Sequence, residues 1–405
     1  MATPAIRASA LSRRGLFAVA AGTLFTAACG SGDDRANPGP IRRGSEELII
    51  GASLELTGAA AAFGSLQERA LRITVDELNE AGVPVGNFRR QIRLVVRDNG
   101  SNPKTAAQQV TEMIQRDQVH AILGGTRAEV SMAIVDIAQS EQVPYISLAS
   151  ADDITVPLTK RTFIYKLTPD AFDVARIMAP IIAGLQKRTV ALLAQDGLYG
   201  DSGMRAVASA LETNDLTLVK AERLPGSGSS FTAAARSVVT SAPDALIIWA
   251  QAPDAGAAAT AVHAAGFRGL KFFAPGAVAD DTVSAKNLEA VEDAYVVHPE
   301  SLAGSSLTDT TRTDLLRREF VNRYVQMYGR FSGFAPYASD AVTLIANAAR
   351  KARSADRGRI RVYLETQVAE GIAGSYSFAP ISHGGMEPDS LGVFTIAQGS
   401  WAKFA

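Results

Sequence analysis

From Glu47 onward, short apolar runs alternate with stretches in which apolar residues recur every three or four positions. "ELIIGASL" predicts a strand, and "GSLQERALRITVDELNEAG" a helix on which Leu71, Val75 and Leu78 form one apolar stripe. In "QIRLVVRD", Ile92, Leu94 and Val96 alternate with other residues as a strand requires. "NPKTAAQQVTEMIQRD" predicts a helix capped by Asn102, with Pro103 at its first position. "VHAILGG" and "VPYISLAS" predict two more strands, separated by a helix that begins near Arg127. The pattern then restarts, with strands predicted at "TVALLAQ", "LTLVKAERL", "DALIIWAQ" and "LKFFAPGA" and helical segments between them. Further on, "RTDLLRREFVNRYVQMYG" and "YASDAVTLIANAARKA" predict consecutive helices. "GSYSFAP" and "LGVFTIAQGSW" then predict a closing hairpin or strand pair, in a tail able to lie across both halves.

Strands and helices alternating at these lengths imply parallel sheets covered on both faces. Two successive arrays of similar size imply an α/β chain of two doubly wound lobes with a cleft between them. Ligands of open α/β sheets bind beyond the C-terminal ends of the strands. The loops at those ends are "SLELTGAAAAFG", "GGTRAEVS", "SLASADD", "AQDGLYGD", "WAQAPDAG" and "APGAVADD". In "AILGGTRAEV", two glycines between strand and helix let backbone N–H groups converge on a small anion at the helix N-terminus.

Upstream of the array, Arg13 and Arg14 lead into the apolar stretch Gly15–Ala28, which is too short for a bilayer span but suits a signal peptide over 1–28. Ser12-Arg13-Arg14 resembles a twin-arginine export signal. "TAAC" resembles a lipobox, with Cys29 as the residue to be lipidated, although Thr26 stands where leucine is usual. Residues 29–46, rich in Gly, Pro, Ser and charge, read as a flexible tether. No second hydrophobic span follows, so the expected place is extracytoplasmic, anchored to the membrane through the N-terminal lipid.

The 405 residues are 47% hydrophobic and carry a net charge of −1, which supplies a core for two lobes and no footprint for nucleic acid. The single cysteine excludes a disulfide framework within the chain. The histidines, His120, His263, His298 and His383, are scattered without metal-ligand spacing, so no metal and no cofactor is expected. There is no nucleophile elbow, P-loop or dinucleotide fingerprint. "GSGSS" and "SHGG" read as turns, and Asp152-Asp153 and Asp280-Asp281 as caps of following helices. A binding protein, not an enzyme, is the expectation.

In order and spacing, "LTGAAAAFG", "DNGSNPKTAAQQV", "VPYISLAS", "AQDGLYGDSG", "PDALIIWAQAPDAG" and "YASDAVTLIANA" resemble the type I periplasmic-binding-protein fold. The branch they resemble is the branched-chain amino-acid (Leu/Ile/Val)-binding proteins of ABC transporters, over about 47–405. The resemblance implies an N-terminal lobe from 47–166 and 298–360 and a C-terminal lobe from 167–297 and 361–405. Hinge strands are then expected near 165–169, 296–300 and 360–375. It implies a solute-binding component that closes on a small carboxylate-bearing ligand and delivers it to an ABC transporter permease. A ligand-sensing receptor component with a separate membrane partner is the alternative.

The resemblance also implies site residues. The "GGTRAEVS" loop, with Arg127 and Ala128, is expected to hold a ligand carboxylate. Arg127 would add a bidentate contact, or else face solvent or pair with Glu129. Ala149 offers backbone groups and Ser150 a hydroxyl, while Ala151 stands where threonine is frequent. Phe63 and Tyr199 match aromatics that cover the ligand from either lobe, or else they pack. Trp249 and Gln251 suit an apolar ligand body, and Trp249 equally suits the core. The family commonly places an acid for the ligand ammonium after the "LKFFAPGA" strand, where this chain has Gly276 and no acid before Asp280. A buried ammonium without a partner is costly. Either the ligand is an aromatic or aliphatic organic acid, or another carboxylate serves a branched-chain amino acid.

Overall fold

A computed structural model of the chain describes residues 42–43, 47–226, 230–306 and 311–404. Cys29 and the leader lie outside the described residues, as does the tether apart from Arg42–Arg43, whose backbone pairs in parallel with Phe88–Arg89.

The first sheet contains β1 (Leu48–Leu54), β2 (Ile92–Asp98), β3 (Ala121–Gly124), β4 (Tyr145–Ser147) and β5 (Ile164–Lys166), in the order β2-β1-β3-β4-β5. Every pairing in it is parallel. Its helices are α1 (Ala61–Ala81), α2 (Pro103–Gln115) and α3 (Ala128–Ser140). As expected, α2 opens on Asn102, whose side-chain oxygen accepts from the N–H groups of Lys104 and Thr105.

After α4 (Ala171–Gly184) the second sheet is built from β6 (Thr189–Gln195), β7 (Thr217–Leu224), β8 (Ala245–Trp249), β9 (Leu270–Phe273) and β10 (Tyr295–Pro299). The intervening helices are α5 (Leu198–Thr213), α6 (Thr232–Thr240) and α7 (Asp254–Ala264). The parallel order is β7-β6-β8-β9-β10. The inner strands β3, β4 and β8 are buried at every position, as sheets covered on both faces require. The fold is thus the expected pair of doubly wound lobes.

The chain then returns to the first lobe through α8 (Arg312–Tyr328), α9 (Pro336–Ala352) and α10 (Arg357–Glu365). The Thr74 and Ser339 hydroxyls, 2.6 Å apart, join α1 to α9.

The tail departs from the sequence reading. "GSYSFAP" and "LGVFTIAQGSW" do not pair with each other: Ser375–Ser377 pairs with Val368–Glu370. The last two strands, β11 (Leu391–Ala397) and β12 (Ser400–Lys403), extend the second sheet antiparallel from the edge of β10.

The crossings between lobes are shifted as well. All of α10 stays on the first lobe, because Arg357 donates to the Val119 carbonyl, Arg361 to that of Thr162, and the Tyr165 hydroxyl to that of Arg361. The last crossing therefore follows 382–385, where Gly384 runs parallel to Lys166 and the Gly385 N–H donates to the Lys166 carbonyl. His298 and Pro299 remain in the second sheet, opposite Gly392 and Leu391.

Candidate functional site

In a doubly wound sheet the crevice opens where neighbouring strands send their crossovers to opposite faces. Here those points are the C-terminal ends of β1 and β3 in the first lobe, and of β6 and β8 in the second. Each holds a side chain bonded to backbone. In the second lobe the Gln251 N–H donates to the Gln195 side-chain oxygen at 2.9 Å. In the first lobe Glu55 Oε1 accepts from the N–H groups of Thr126, at 2.8 Å, and Arg127, at 3.1 Å.

That second arrangement changes the expected anion site. A carboxylate does sit on the N–H groups leading into α3, but it is the chain's own. Glu55 is fully buried, and burial raises its carboxyl above the usual range against the lowering effect of those two N–H groups. Its Oε2 has no hydrogen-bond partner among the described residues, nor has the Nε2 of the equally buried Gln67. The Thr126 hydroxyl donates to Gln67 Oε1, so Thr126 holds both side chains. No local pattern announces Glu55, because its partners lie more than seventy positions away (71 and 72).

The other expected contacts sort by what their polar groups already do. The Arg127 guanidinium lies 3.6 Å from Glu129, the pairing that was the alternative to a ligand contact. Ala128 is buried as the first residue of α3. Both backbone groups of Ala149 are engaged, its N–H with the Ser147 hydroxyl at 3.1 Å and its carbonyl with the Thr168 hydroxyl at 2.6 Å. The N–H is thus used within the protein, while the carbonyl keeps a second acceptor lone pair. The Ser150 hydroxyl has no hydrogen-bond partner among the described residues and so remains a candidate contact.

In the second lobe, Tyr199, Gln251 and Gly276 converge. The Gly276 N–H donates to the Tyr199 hydroxyl oxygen at 3.1 Å. A Cβ on Gly276 would stand 2.8 Å from that oxygen and 2.9 Å from Gln251 Cγ. The missing acid at this position therefore has a steric reason: any side chain would collide with Tyr199 and Gln251. Burial keeps the Tyr199 phenol protonated, and Gly276 uses only its acceptor side. Trp249 is 1% exposed and packs face-on against Gly203 of α5, so it belongs to the second lobe's core.

Phe63 joins an aromatic group that sequence patterns did not single out. Its ring centroid lies 4.7 Å from that of Phe334, which in turn meets His298 at 5.7 Å and Tyr337 at 5.9 Å. His298, at the end of β10, carries this contact across to the second lobe.

The aspartate pairs also do something other than expected. Asp152 accepts the N–H of Ala171 at the start of α4, and Asp153 pairs with Arg205 of α5 at 2.6 Å. The Asp152 N–H donates to the Ser202 hydroxyl at 3.2 Å. These bonds run from the loop after β4 to helices of the other lobe, so the lobes are closed on each other. Asp280, rather than capping a helix, pairs with Arg330 at 3.3 Å. Beneath the Asp152 contacts, fully buried Lys166 lies 2.5 Å from Asp170 and 3.6 Å from Asp152.

Two doubly wound lobes, three crossings and a closed cleft lined by strand-end loops define a type I periplasmic binding protein. The family model described as periplasmic binding protein matches residues 47–394, and the chain belongs to that family. An extracellular ligand-binding receptor from Rhodopseudomonas palustris HaA2 superposes with a TM-score of 0.81 at 21% identity, covering 89% of this chain and 100% of that one. The branched-chain amino acid transporter substrate binding protein LivJ from Streptococcus pneumoniae, in complex with isoleucine, gives 0.76 at 23%, over 88% and 98%. The leucine binding protein LivK from Thermotoga maritima gives 0.75 at 22%, over 88% and 98%. Among curated proteins, human metabotropic glutamate receptor 8 is 23% identical over 135 residues, which is 33% of this chain and 15% of the receptor. Arabidopsis thaliana glutamate receptor 1.2 is 24% identical over the same shares. The chain thus matches only about a seventh (15%) of these receptors' length.

Proposed function

We propose that this chain is the extracytoplasmic solute-binding component of an ABC importer, held at the membrane by a lipid on Cys29. It captures a small solute between its lobes and hands it to a permease. The observation that carries this reading is the family match over 47–394, together with closure of the lobes through Asp152, Asp153, Ser202 and Arg205. Ser150 reaches the solute from the first lobe, and Tyr199 and Gln251 from the second. A carboxylate on the solute, as in a branched-chain amino acid or an organic acid, has Ser150 and Tyr199 as donors. The N–H groups of Thr126 and Arg127 are already engaged. Closing of the lobes then presents the permease with a surface that the open form lacks.

The curated receptors favour a second reading, in which the chain senses the same solute for a separate membrane partner. A thermal-shift screen of the chain from Gly30 onward tests solute binding. A solute at 100 times its dissociation constant adds about 2.7 kcal/mol of stability. Uptake of that solute by cells lacking the protein then separates the readings. Lost uptake supports the importer, and unchanged uptake with lost signalling supports the sensor.

A further inference from the structure

The N-terminus of α3 holds an anion that the chain itself provides. Glu55 is fixed there from several sides. The residue after it, Leu56, donates its N–H to Asp98 at 3.1 Å, and so does Thr57. Gly64 of α1 passes so near the Glu55 carbonyl that a Cβ would collide with it. With the backbone pinned on both sides, the side chain reaches the Thr126 and Arg127 N–H groups as a built feature of the crevice. The feature is incomplete, however, since among the described residues buried Oε2 lacks a donor and the neighbouring Gln67 Nε2 lacks an acceptor. Buried polar atoms in native proteins rarely stay unpaired, so a partner of matching chemistry is called for. The equivalent crevice of the second lobe is held by the carboxamide of Gln195, whereas the first is held by a carboxyl group.

We propose that Glu55 sets the specificity of the cleft by occupying the anion slot at α3. The solute brings no carboxylate to this crevice, and presents to Glu55 Oε2 a hydrogen-bond donor, an ammonium or a carboxamide. This rests on the reading that the cleft binds a solute. With Glu55 ionised, a second carboxylate about 4 Å away would be disfavoured by on the order of a thousandfold at the dielectric typical of protein sites.

The test uses ligands that share one apolar body, isobutyrate, isobutyramide and isobutylamine, with acetate as the smallest carboxylate. Binding to the unsubstituted chain and to Glu55→Ala is followed by thermal shift and calorimetry. Because Oε2 accepts from their N–H groups, isobutylamine or isobutyramide should bind the unsubstituted chain at least about tenfold more tightly than Glu55→Ala. In Glu55→Ala the vacated N–H pair should take up acetate and isobutyrate, with at least a tenfold gain over the unsubstituted chain. Should Glu55→Ala fail to fold, Glu55→Gln, which keeps the volume and one acceptor oxygen, must still gain tenfold for isobutyrate.

Equal binding of isobutylamine and isobutyramide by the unsubstituted chain and by Glu55→Ala would overturn the inference while leaving solute binding intact. No gain for carboxylates in either variant would overturn it whatever the cleft binds. Acetate rescue of Glu55→Ala, with no solute recognised by the unsubstituted chain in any screen, would keep the slot assignment and remove the solute-binding reading instead.

Discussion

The carboxylate of Asp153 and the guanidinium of Arg205 meet at 2.6 Å, one from the loop after β4 and the other from α5 of the opposite lobe. Both side chains are partly exposed, so the pair is a weak clasp, worth at most a few-fold in an equilibrium. Arg205→Ala should favour the open form and speed solute release roughly two- to fivefold. Small-angle scattering without solute should show a larger radius of gyration. An unchanged radius together with an unchanged release rate would mean that the clasp contributes nothing to closure.

Gly276→Ala places a methyl group against the Tyr199 hydroxyl and Gln251. Both neighbours are buried, so overpacking should cost about 1–3 kcal/mol and break the Gly276–Tyr199 hydrogen bond. Urea unfolding measures the cost. Solute affinity should fall by more than stability alone explains, because Tyr199 is displaced. A fully stable variant with unaltered affinity would show that the loop yields without strain.

Lys166 is sealed beneath the first crossing, with Asp170 and Asp152 as its partners. Lys166→Ala leaves two carboxylates facing each other without a cation. Breaking a sealed pair costs about 3–5 kcal/mol. Asp170 keeps some water, so roughly 2–3 kcal/mol is expected, read as a lower urea midpoint. The loss should shrink in the double variant Lys166→Ala/Asp170→Ala.

His298 supplies a pH dependence. Burial pushes its imidazole down to about 4, against about 6.5 in an unfolded chain. The unfolded state therefore takes up the proton first as pH falls. The stability that His298 contributes is complete above about pH 6.5 and is lost progressively toward pH 4, by roughly 3 kcal/mol. The difference in unfolding free energy between the unsubstituted chain and His298→Gln should narrow by that amount from pH 7 to pH 4. A constant difference would mean that the ring takes up its proton over the same pH range in the folded and unfolded states.

The lobes were legible because their determinants are local: apolar period, the Asn102-Pro103 helix start, and glycines at strand ends. The convergence of Tyr199, Gln251 and Gly276 was legible because all three lie in or just after the strand-end loops that the family resemblance singles out. The first lobe's side of the cleft was not, because it is decided by pairings between distant segments. Thr168 takes the Ala149 carbonyl from 19 positions away, and Glu55 takes the amides of α3 from farther still. Asp152-Asp153 looked like a local cap because short-range capping is the common fate of such pairs. Here the helix that Asp152 serves belongs to the other lobe. In the tail, "LGVFTIAQGSW" has the alternation of a strand, but alternation does not say which edge a strand will join.

That last choice of edge bears on the order of synthesis. Strand β10 receives its neighbour β11 only when residues 391–397 have been made, almost a hundred positions later, and until then its backbone donors and acceptors face outward. The first lobe likewise waits for α9 to cover α1. Both halves wait on late segments, so a chain stalled short of residue 391 would expose an open sheet edge to other nascent chains.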